Sequence, residues 1–490
     1  MSFDFGRLPE TAPEIRHEAF PRPGKRTASR LSAEKQLIFG DDIWDNPVPV
    51  HTAETYDPCH VTFADSAGKR FSLDKKALSK HLLLLGGIGS GKTNVFYFIT
   101  EALLARQNPE DIIFIFDTKG DFYETFYSPY DPNHIVIGNN EKYRACTANW
   151  NIFGEVEAKA GCYQKSDEFT AKEIGKQLFA GRGSDMQPFF DLAAADLISK
   201  VLIDFERRAD MTGDRSELNN LALVKWLRSA ALADYMTLLN RNPDFLSAQL
   251  YFGDPGRGAE QKLTAQALGV FGYINSMLND LFTGIFEDRY PGGEVSMRSL
   301  VRNRGKNGGK TVVFIEYDLS AGEVLSPMYR LLIDLAMKEA LGQNAARRGN
   351  VFFIIDEFKL LPDLMHIDDA LNFGRSLGVK VFAGLQSIDQ LFEIYGEERG
   401  RSILSGFMNC FCFQTPDSNS RKYITERFGE NVYQLMFRSL DESVVHPREG
   451  HVIEDWDILR LETGQAAVDL NGERPFVFQF SDFKERHTIL

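Results

Sequence analysis

Between His81 and Thr93 the chain reads HLLLLGGIGSGKT, and no other stretch restricts the fold as tightly. Four consecutive leucines suit a strand buried on both faces, as in a parallel sheet. They run into Gly86-Gly87-Ile88-Gly89-Ser90-Gly91-Lys92-Thr93, which fits G-x-x-x-x-G-K-[ST]. In that pattern glycines let successive backbone N–H groups converge on phosphate oxygens, and the following helix adds the positive end of its dipole. Lys92 is expected against the β- and γ-phosphates, and the Thr93 hydroxyl on Mg²⁺. A glycine turn of a dinucleotide site is the competing reading, and the Gly-Lys-Thr ending after a buried strand argues against it. The loop names a fuel, ATP, and leaves the task open.

At 490 residues the chain exceeds one ordinary core and is expected to form two or three lobes. The formal charge of −14 argues against a protein that coats nucleic acid over its whole surface, yet permits a basic channel inside an acidic shell. With 39 Phe there is material for large cores or a subunit interface. Cys59, Cys146, Cys162, Cys410 and Cys412 show no metal-ligand spacing and read as buried free thiols of a reducing compartment. Cys410 and Cys412 alternate in NCFCFQT, so both point to one face of a strand. MSFDFGRLPETAPEIRHEAF lacks the apolar core of a signal peptide, and no window reaches about 18 apolar residues. The expectation is a cytoplasmic chain without a membrane span of its own.

Residues 1–50 read as an N-terminal arm or linker, with basic PRPGKRTASRLSAEK as a solvated linker or a contact to DNA or an acidic neighbour. VTFADSAGKRFSL suggests a hairpin. Residues 51–157 form the first part of a nucleotide-binding domain: LLLL, the helical KTNVFYFITEALLAR, then the strands of DIIFIFDTKGD and HIVIG. From 158 to 302 strand-like runs vanish and amphipathic stretches follow one another, an all-α domain in its own right. Residues 303–490 return to strands in TVVFIEY, VFFIID, VKVFAGL and CFCFQT, and QAAVDL and PFVFQF close as a hairpin through NGERP. The fold class expected is α/β, a RecA-like P-loop NTPase core with a mainly parallel sheet, interrupted by the all-α domain.

In VFFIIDEFKLLP an apolar strand ends on Asp356-Glu357. A carboxylate at a strand tip beside a P-loop can hold Mg²⁺, and a second can act as general base on the attacking water. Asp356 is assigned to the metal and Glu357 to the base, and TVVFIEY, intervening in sequence, suits the RecA-like arrangement with an additional strand. VKVFAGL ends at Gln386, an amide that either senses the γ-phosphate or caps a helix. Arg375 precedes that strand and enters at the opposite end of the sheet, beyond reach of its own subunit's ATP. It either acts in a neighbour's site as an arginine finger or caps a helix on the surface. VRNRGKNGGK gathers Arg302, Arg304, Lys306 and Lys310 in a Gly/Asn loop, read as a solvated hairpin tip or as a track for DNA phosphates.

LLLLGGIGSGKT, IIFIFDTKGDF, FFIIDEFKLLPDL and GRSLGVKVFAGLQSIDQLFEIYG together resemble the conjugative type IV coupling proteins, especially the TraD-like group of the HerA–FtsK superfamily. Asp117 to Asp121 and Gln386 to Gly396 carry most of the likeness, with NWNIFGEV and QPFFDLAAADLISKVL resembling the passage into that group's all-α domain. The resemblance implies a homohexameric ring with ATP at subunit boundaries and DNA, single-stranded in the favoured form, in a central channel. It also implies the nucleotide roles of Lys92, Thr93, Asp356, Glu357 and Gln386, a finger role in trans for Arg375, and type IV secretion components or a relaxase among the partners. The family's N-terminal membrane anchor has no counterpart in the opening residues, which leaves room for a partner-supplied membrane link or for a soluble HerA-like motor working with a nuclease. A secretion or assembly ATPase that holds no DNA is the third reading.

Overall fold

The computed structural model describes residues 32–44, 61–106, 108–157, 161–180, 188–245, 265–342, 349–438 and 443–488. Cys59, most of the basic arm and the expected boundary at 157/158 touch or lie outside these residues.

Sixteen strands appear among the described residues: β1 (Ser32–Phe39), β2 (Val61–Ala64), β3 (Arg70–Leu73), β4 (Leu82–Leu85), β5 (Ile112–Asp117), β6 (His134–Gly138), β7 (Asn149–Trp150), β8 (Glu294–Val295), β9 (Thr311–Glu316), β10 (Val351–Ile355), β11 (Val379–Leu385), β12 (Asn409–Phe413), β13 (Glu430–Arg438), β14 (Ser443–His451), β15 (Gln465–Asp469) and β16 (Phe476–Gln479). Nine form one sheet in the order β16-β15-β12-β4-β11-β10-β5-β9-β6. From β12 to β6 every neighbour pair is parallel, and β15 and β16 add an antiparallel edge.

The apolar runs divide between two faces by their period of two. In β5, Ile112, Phe114 and Phe116 join the core beneath the helical insert, whereas Ile113 and Ile115 join the core on the opposite face. That second core explains much of the phenylalanine content. Phe63 and Phe71 of the β2–β3 hairpin meet Phe411, Phe476, Phe478 and Phe480 at centroid distances of 4.8 to 6.0 Å, several edge to face. Both hairpins expected from the sequence are present as β2–β3 and β15–β16.

The insert contains helices Asp167–Phe179, Pro188–Thr212, Asn220–Ser229, Leu232–Arg241 and Ala265–Leu281 and packs in one continuous core with the sheet face and helix Gly322–Leu341. It is not purely helical: β7 and β8 pair in parallel at its neck. There Glu155, fully buried, accepts hydrogen bonds from the backbone N–H groups of Met297 and Arg298 and from the Trp150 indole. Asn220 bridges the same neck, donating to the Trp150 and Phe286 carbonyls and accepting from the Ile152 N–H.

The structure also adds detail to the arm, the sheet order and the basic loop. The arm contains β1, paired antiparallel with β13, which also pairs with β14 in a separate three-stranded sheet. In keeping with the expected additional strand, β11 lies between the P-loop strand and the Asp-Glu strand, and TVVFIEY, which intervenes in sequence, lies beyond β5 as β9. VRNRGKNGGK starts inside a helix, Met297–Asn303, and only its remainder is loop. No helix among the described residues is long and apolar enough to cross a membrane.

Candidate nucleotide site

The carboxyl ends of β4, β11 and β10 lie side by side because β11 hydrogen-bonds to both neighbours, with Leu385 opposite Leu85 and Ala383 opposite Ile355. Gly384 allows this approach, since a Cβ there would sit 2.2 Å from the Asp356 carbonyl oxygen. The P-loop leaves β4 and reaches helix Lys92–Ala105 through Gly89 and Gly91, at φ +73° and +110°. Neighbouring elements brace it: the Gly87 N–H donates to the Gln414 carbonyl at 2.8 Å, and the Gly464 N–H donates to the Ser90 carbonyl at 2.9 Å. A Cβ on Gly91 would stand 2.8 Å from the Gly464 Cα.

Lys92 is buried, and its ammonium donates to the carbonyls of Gly86 at 2.6 Å and Gly87 at 2.9 Å. Burial lowers its pKa, with the charges of Glu357 and Asp356 acting against that shift. Thr93 Oγ1 donates to Asp356 Oδ1 at 3.0 Å. Gln386 Nε2 donates to Glu357 Oε2 in a short contact. Burial raises the pKa of both carboxyls, opposed at Asp356 by the Thr93 hydrogen bond and at Glu357 by the Gln386 amide. Ser90 Oγ and Glu357 Oε1 are buried without a hydrogen-bond partner, so each has unused bonding capacity. Oxygen donors at Thr93 and Asp356 beside a lysine-bearing glycine loop match the hard-cation chemistry of Mg²⁺ with a nucleoside triphosphate. Ile88, at the loop's apex, is 85% exposed.

The structure therefore gathers Gly86 through Thr93, Asp356, Glu357 and Gln386 into one site. Gln386 is not the cap of its following helix: Ser387 holds that position, accepting from the Asp389 N–H. Arg375, exposed in the last turn of helix Ile367–Leu377, enters at the other end of the sheet, as expected from parallel strands. Sequence reasoning missed Gly464 and also Lys119, whose charge acts on both Lys92 and Asp356. The Asp117 carboxylate fixes the turn around Lys119 by accepting from the backbone N–H groups of Lys119, Gly120, Phe122 and Tyr123.

The four basic residues proposed for DNA are not gathered into a free loop. Arg302 pairs with Glu339 and also donates to the Glu157 carbonyl. Arg304 is buried and donates to the Val301 carbonyl. Lys310 caps the end of the P-loop helix by donating to the Leu103, Leu104 and Arg106 carbonyls, and burial lowers its pKa to about 8. Lys306 alone of the four is exposed, bonded to Asn303. Ion pairing and helix capping thus occupy three side chains that an open phosphate track would need.

Comparison with known proteins agrees with this architecture. The family profile described as "Type IV secretion-system coupling protein DNA-binding domain" matches residues 67–443. The Coupling protein TraD of Escherichia coli (strain K12) is 25% identical over 406 residues, 82% of this chain and 50% of that protein. Protein VirD4 of Rhizobium rhizogenes is 23% identical over 327 residues, 63% of this chain and 46% of the relative. The chain spans at most about half the length of these relatives. Among solved structures, the plasmid coupling protein TrwB in complex with the non-hydrolysable GTP analogue GDPNP aligns with a TM-score of 0.67 at 20% identity, covering 91% of this chain and 96% of that one. TrwB in complex with ADP and Mg²⁺ aligns with a TM-score of 0.65 at 19% identity, covering 94% and 98%. These two share the fold. With a family match over more than half its length, the chain belongs to the type IV secretion-system coupling proteins.

Proposed function

We propose that this protein is an ATP-driven DNA translocase: a homohexameric ring that hydrolyses ATP at subunit boundaries and moves DNA, single-stranded in the favoured form, through its centre. The observation that carries the reading is the convergence of Thr93, Asp356, Glu357 and Gln386 on the tips of three adjacent strands beside Lys92. The Gly86–Thr93 loop and Lys92 bind the phosphates, and Lys92 exchanges its bonds to loop carbonyls for bonds to phosphate oxygens. Thr93 and Asp356 would hold Mg²⁺, which when bound would supply charge neutralisation to the triphosphate. Glu357 accepts a proton from the water whose oxygen attacks the γ-phosphorus, while the bond from that phosphorus to the bridging oxygen of ADP breaks. Gln386, bonded to Glu357, orients that base. Arg375 works on the ATP of an adjoining subunit.

Family membership supports the DNA and secretion-system assignment, and type IV secretion components or a relaxase are the partners it points to. The test is steady-state ATP hydrolysis with single-stranded DNA, double-stranded DNA or none, across a salt series. Stimulation by single-stranded DNA that weakens with salt, as phosphate contacts require, is the expected result. Stronger stimulation by duplex DNA favours a HerA-like processing motor. Turnover indifferent to either polymer overturns the translocase reading in favour of an assembly ATPase.

A further inference from the structure

Away from the P-loop in the chain, three elements meet at His366. Its ring Nδ1 lies 2.9 Å from Asp334 Oδ2, and its backbone N–H donates to Asp334 Oδ1 at 2.8 Å. Its Nε2 stands 3.7 Å from Glu173 Oε1. Glu173 belongs to the first long helix of the insert, Asp167–Phe179, and Asp334 to the core helix Gly322–Leu341. Lys338 pairs with the other Glu173 oxygen, and Gln177 donates to Asp334 at 2.6 Å.

The position of His366 in the chain gives this cluster meaning. It stands midway between Glu357 and Arg375, at the start of the helix whose last turn bears Arg375. The same segment is gripped on its other side by the limb that follows Gln386. The Tyr395 hydroxyl donates to the Leu361 carbonyl at 2.9 Å, and Arg399 bonds Asp363, the Leu364 carbonyl and Asp368 at 2.6 to 2.8 Å. Asp363, a non-glycine residue, is held there at φ +54°.

A divalent cation is the obvious alternative occupant, since Glu173, Asp334 and His366 bring ligand atoms within 4.8 Å of one another. The Lys338 ammonium already supplies positive charge at Glu173, and both Asp334 oxygens accept hydrogen bonds. A cation would have to displace those partners, so a proton on His366 completes the charge balance more simply.

We propose that the Glu173–His366–Asp334 triad is a strap by which the helical insert positions the segment joining Glu357 to Arg375, with His366 as a positioning residue. The proposal rests on the translocase reading only for what the strap transmits; the strap itself is tested without turnover. Burial opposes charge on His366, but the Asp334 hydrogen bond and the charges of Asp334 and Glu173 outweigh burial and Lys338 and hold its pKa above the ordinary value. A raised folded pKa means the strap is complete below the ordinary histidine value and loosens as pH rises through the folded one.

The experiment is amide hydrogen exchange on the full chain and on H366N, with and without ADP and Mg²⁺. H366N is expected to exchange about tenfold faster both in helix Asp167–Phe179 and in residues 361–377, the factor given by losing one charge-assisted hydrogen bond. Nucleotide is expected to slow exchange in that insert helix of the native chain and no longer to do so in H366N, while still protecting helix Lys92–Ala105 in both. Raising pH is expected to reproduce the H366N pattern in the native chain, after correction for intrinsic exchange. E173Q, which keeps the shape of the side chain, serves if H366N does not fold. Unchanged exchange in the insert helix of both variants overturns the strap, and so does stoichiometric zinc that either variant abolishes. Nucleotide protection absent everywhere in the native chain counts instead against the site reading, leaving the nucleotide-free exchange of the variants to decide the strap.

Discussion

Thr93 Oγ1 and Asp356 Oδ1 are 3.0 Å apart although 263 positions separate them in the chain. The hydroxyl leaves the P-loop and the carboxylate leaves β10, and only β11 stands between their strands. The oxygen pair assigned to Mg²⁺ is thus brought together by the sheet.

Glu357→Gln should bind ATP and stop hydrolysing it. The amide keeps the shape and a partner for Gln386 but cannot take the proton of water, so turnover should fall about 10²–10⁴-fold. Fluorescent nucleotide binding together with single-turnover hydrolysis measures both sides. Lys92→Ala should instead lose binding.

Gln386→Ala should move the acid limb of the activity profile. The Gln386 amide counters the burial that raises the Glu357 pKa. Removing it raises that pKa further, so the carboxylate needed as base forms only at higher pH. A pH–rate profile with the acid limb unmoved or displaced to lower pH would contradict the assignment.

Gly91→Ala probes the loop without altering any phosphate-binding side chain. Its φ of +110° and the 2.8 Å approach to the Gly464 Cα make a methyl group costly there. A backbone penalty of about 1–3 kcal/mol is expected, seen as weaker nucleotide binding and a lower Tm.

Glu155→Ala should loosen the neck of the insert and spare the P-loop. Three buried donors, from Trp150, Met297 and Arg298, lose their acceptor. Desolvation of unpaired donors sets a loss of about 2–4 kcal/mol. Thermal unfolding measures it, and limited proteolysis locates it.

Arg375→Ala and Lys92→Ala chains should be inactive alone and recover part of their turnover when mixed. In a shared ring, a subunit with an intact loop can sit beside one with an intact finger. Absence of recovery at every mixing ratio argues against action in trans.

Local pattern made much of this legible. Continuous apolar runs marked β4, β5, β9, β10, β11 and β12, and the polar residues at their ends marked the site. Spatial order was less accessible. Nothing in TVVFIEY or VKVFAGL says which lies beside LLLL, because both read as buried parallel strands and helix packing decides. Lys310 read as a loop charge, whereas the carbonyls that turn it inward belong to a helix end more than 200 positions away. The His366 cluster draws on three separate helices and leaves no periodic trace. The ion pair of Arg302 is likewise invisible in sequence, because its partner, Glu339, is 37 positions downstream on another helix.

Gly464 has a consequence for biosynthesis. The phosphate-gripping loop leaves the ribosome more than 300 residues ahead of its lateral supports, Gln414 and Gly464. A prematurely terminated product ending before that support carries the whole fuel-binding signature with its turn unbraced.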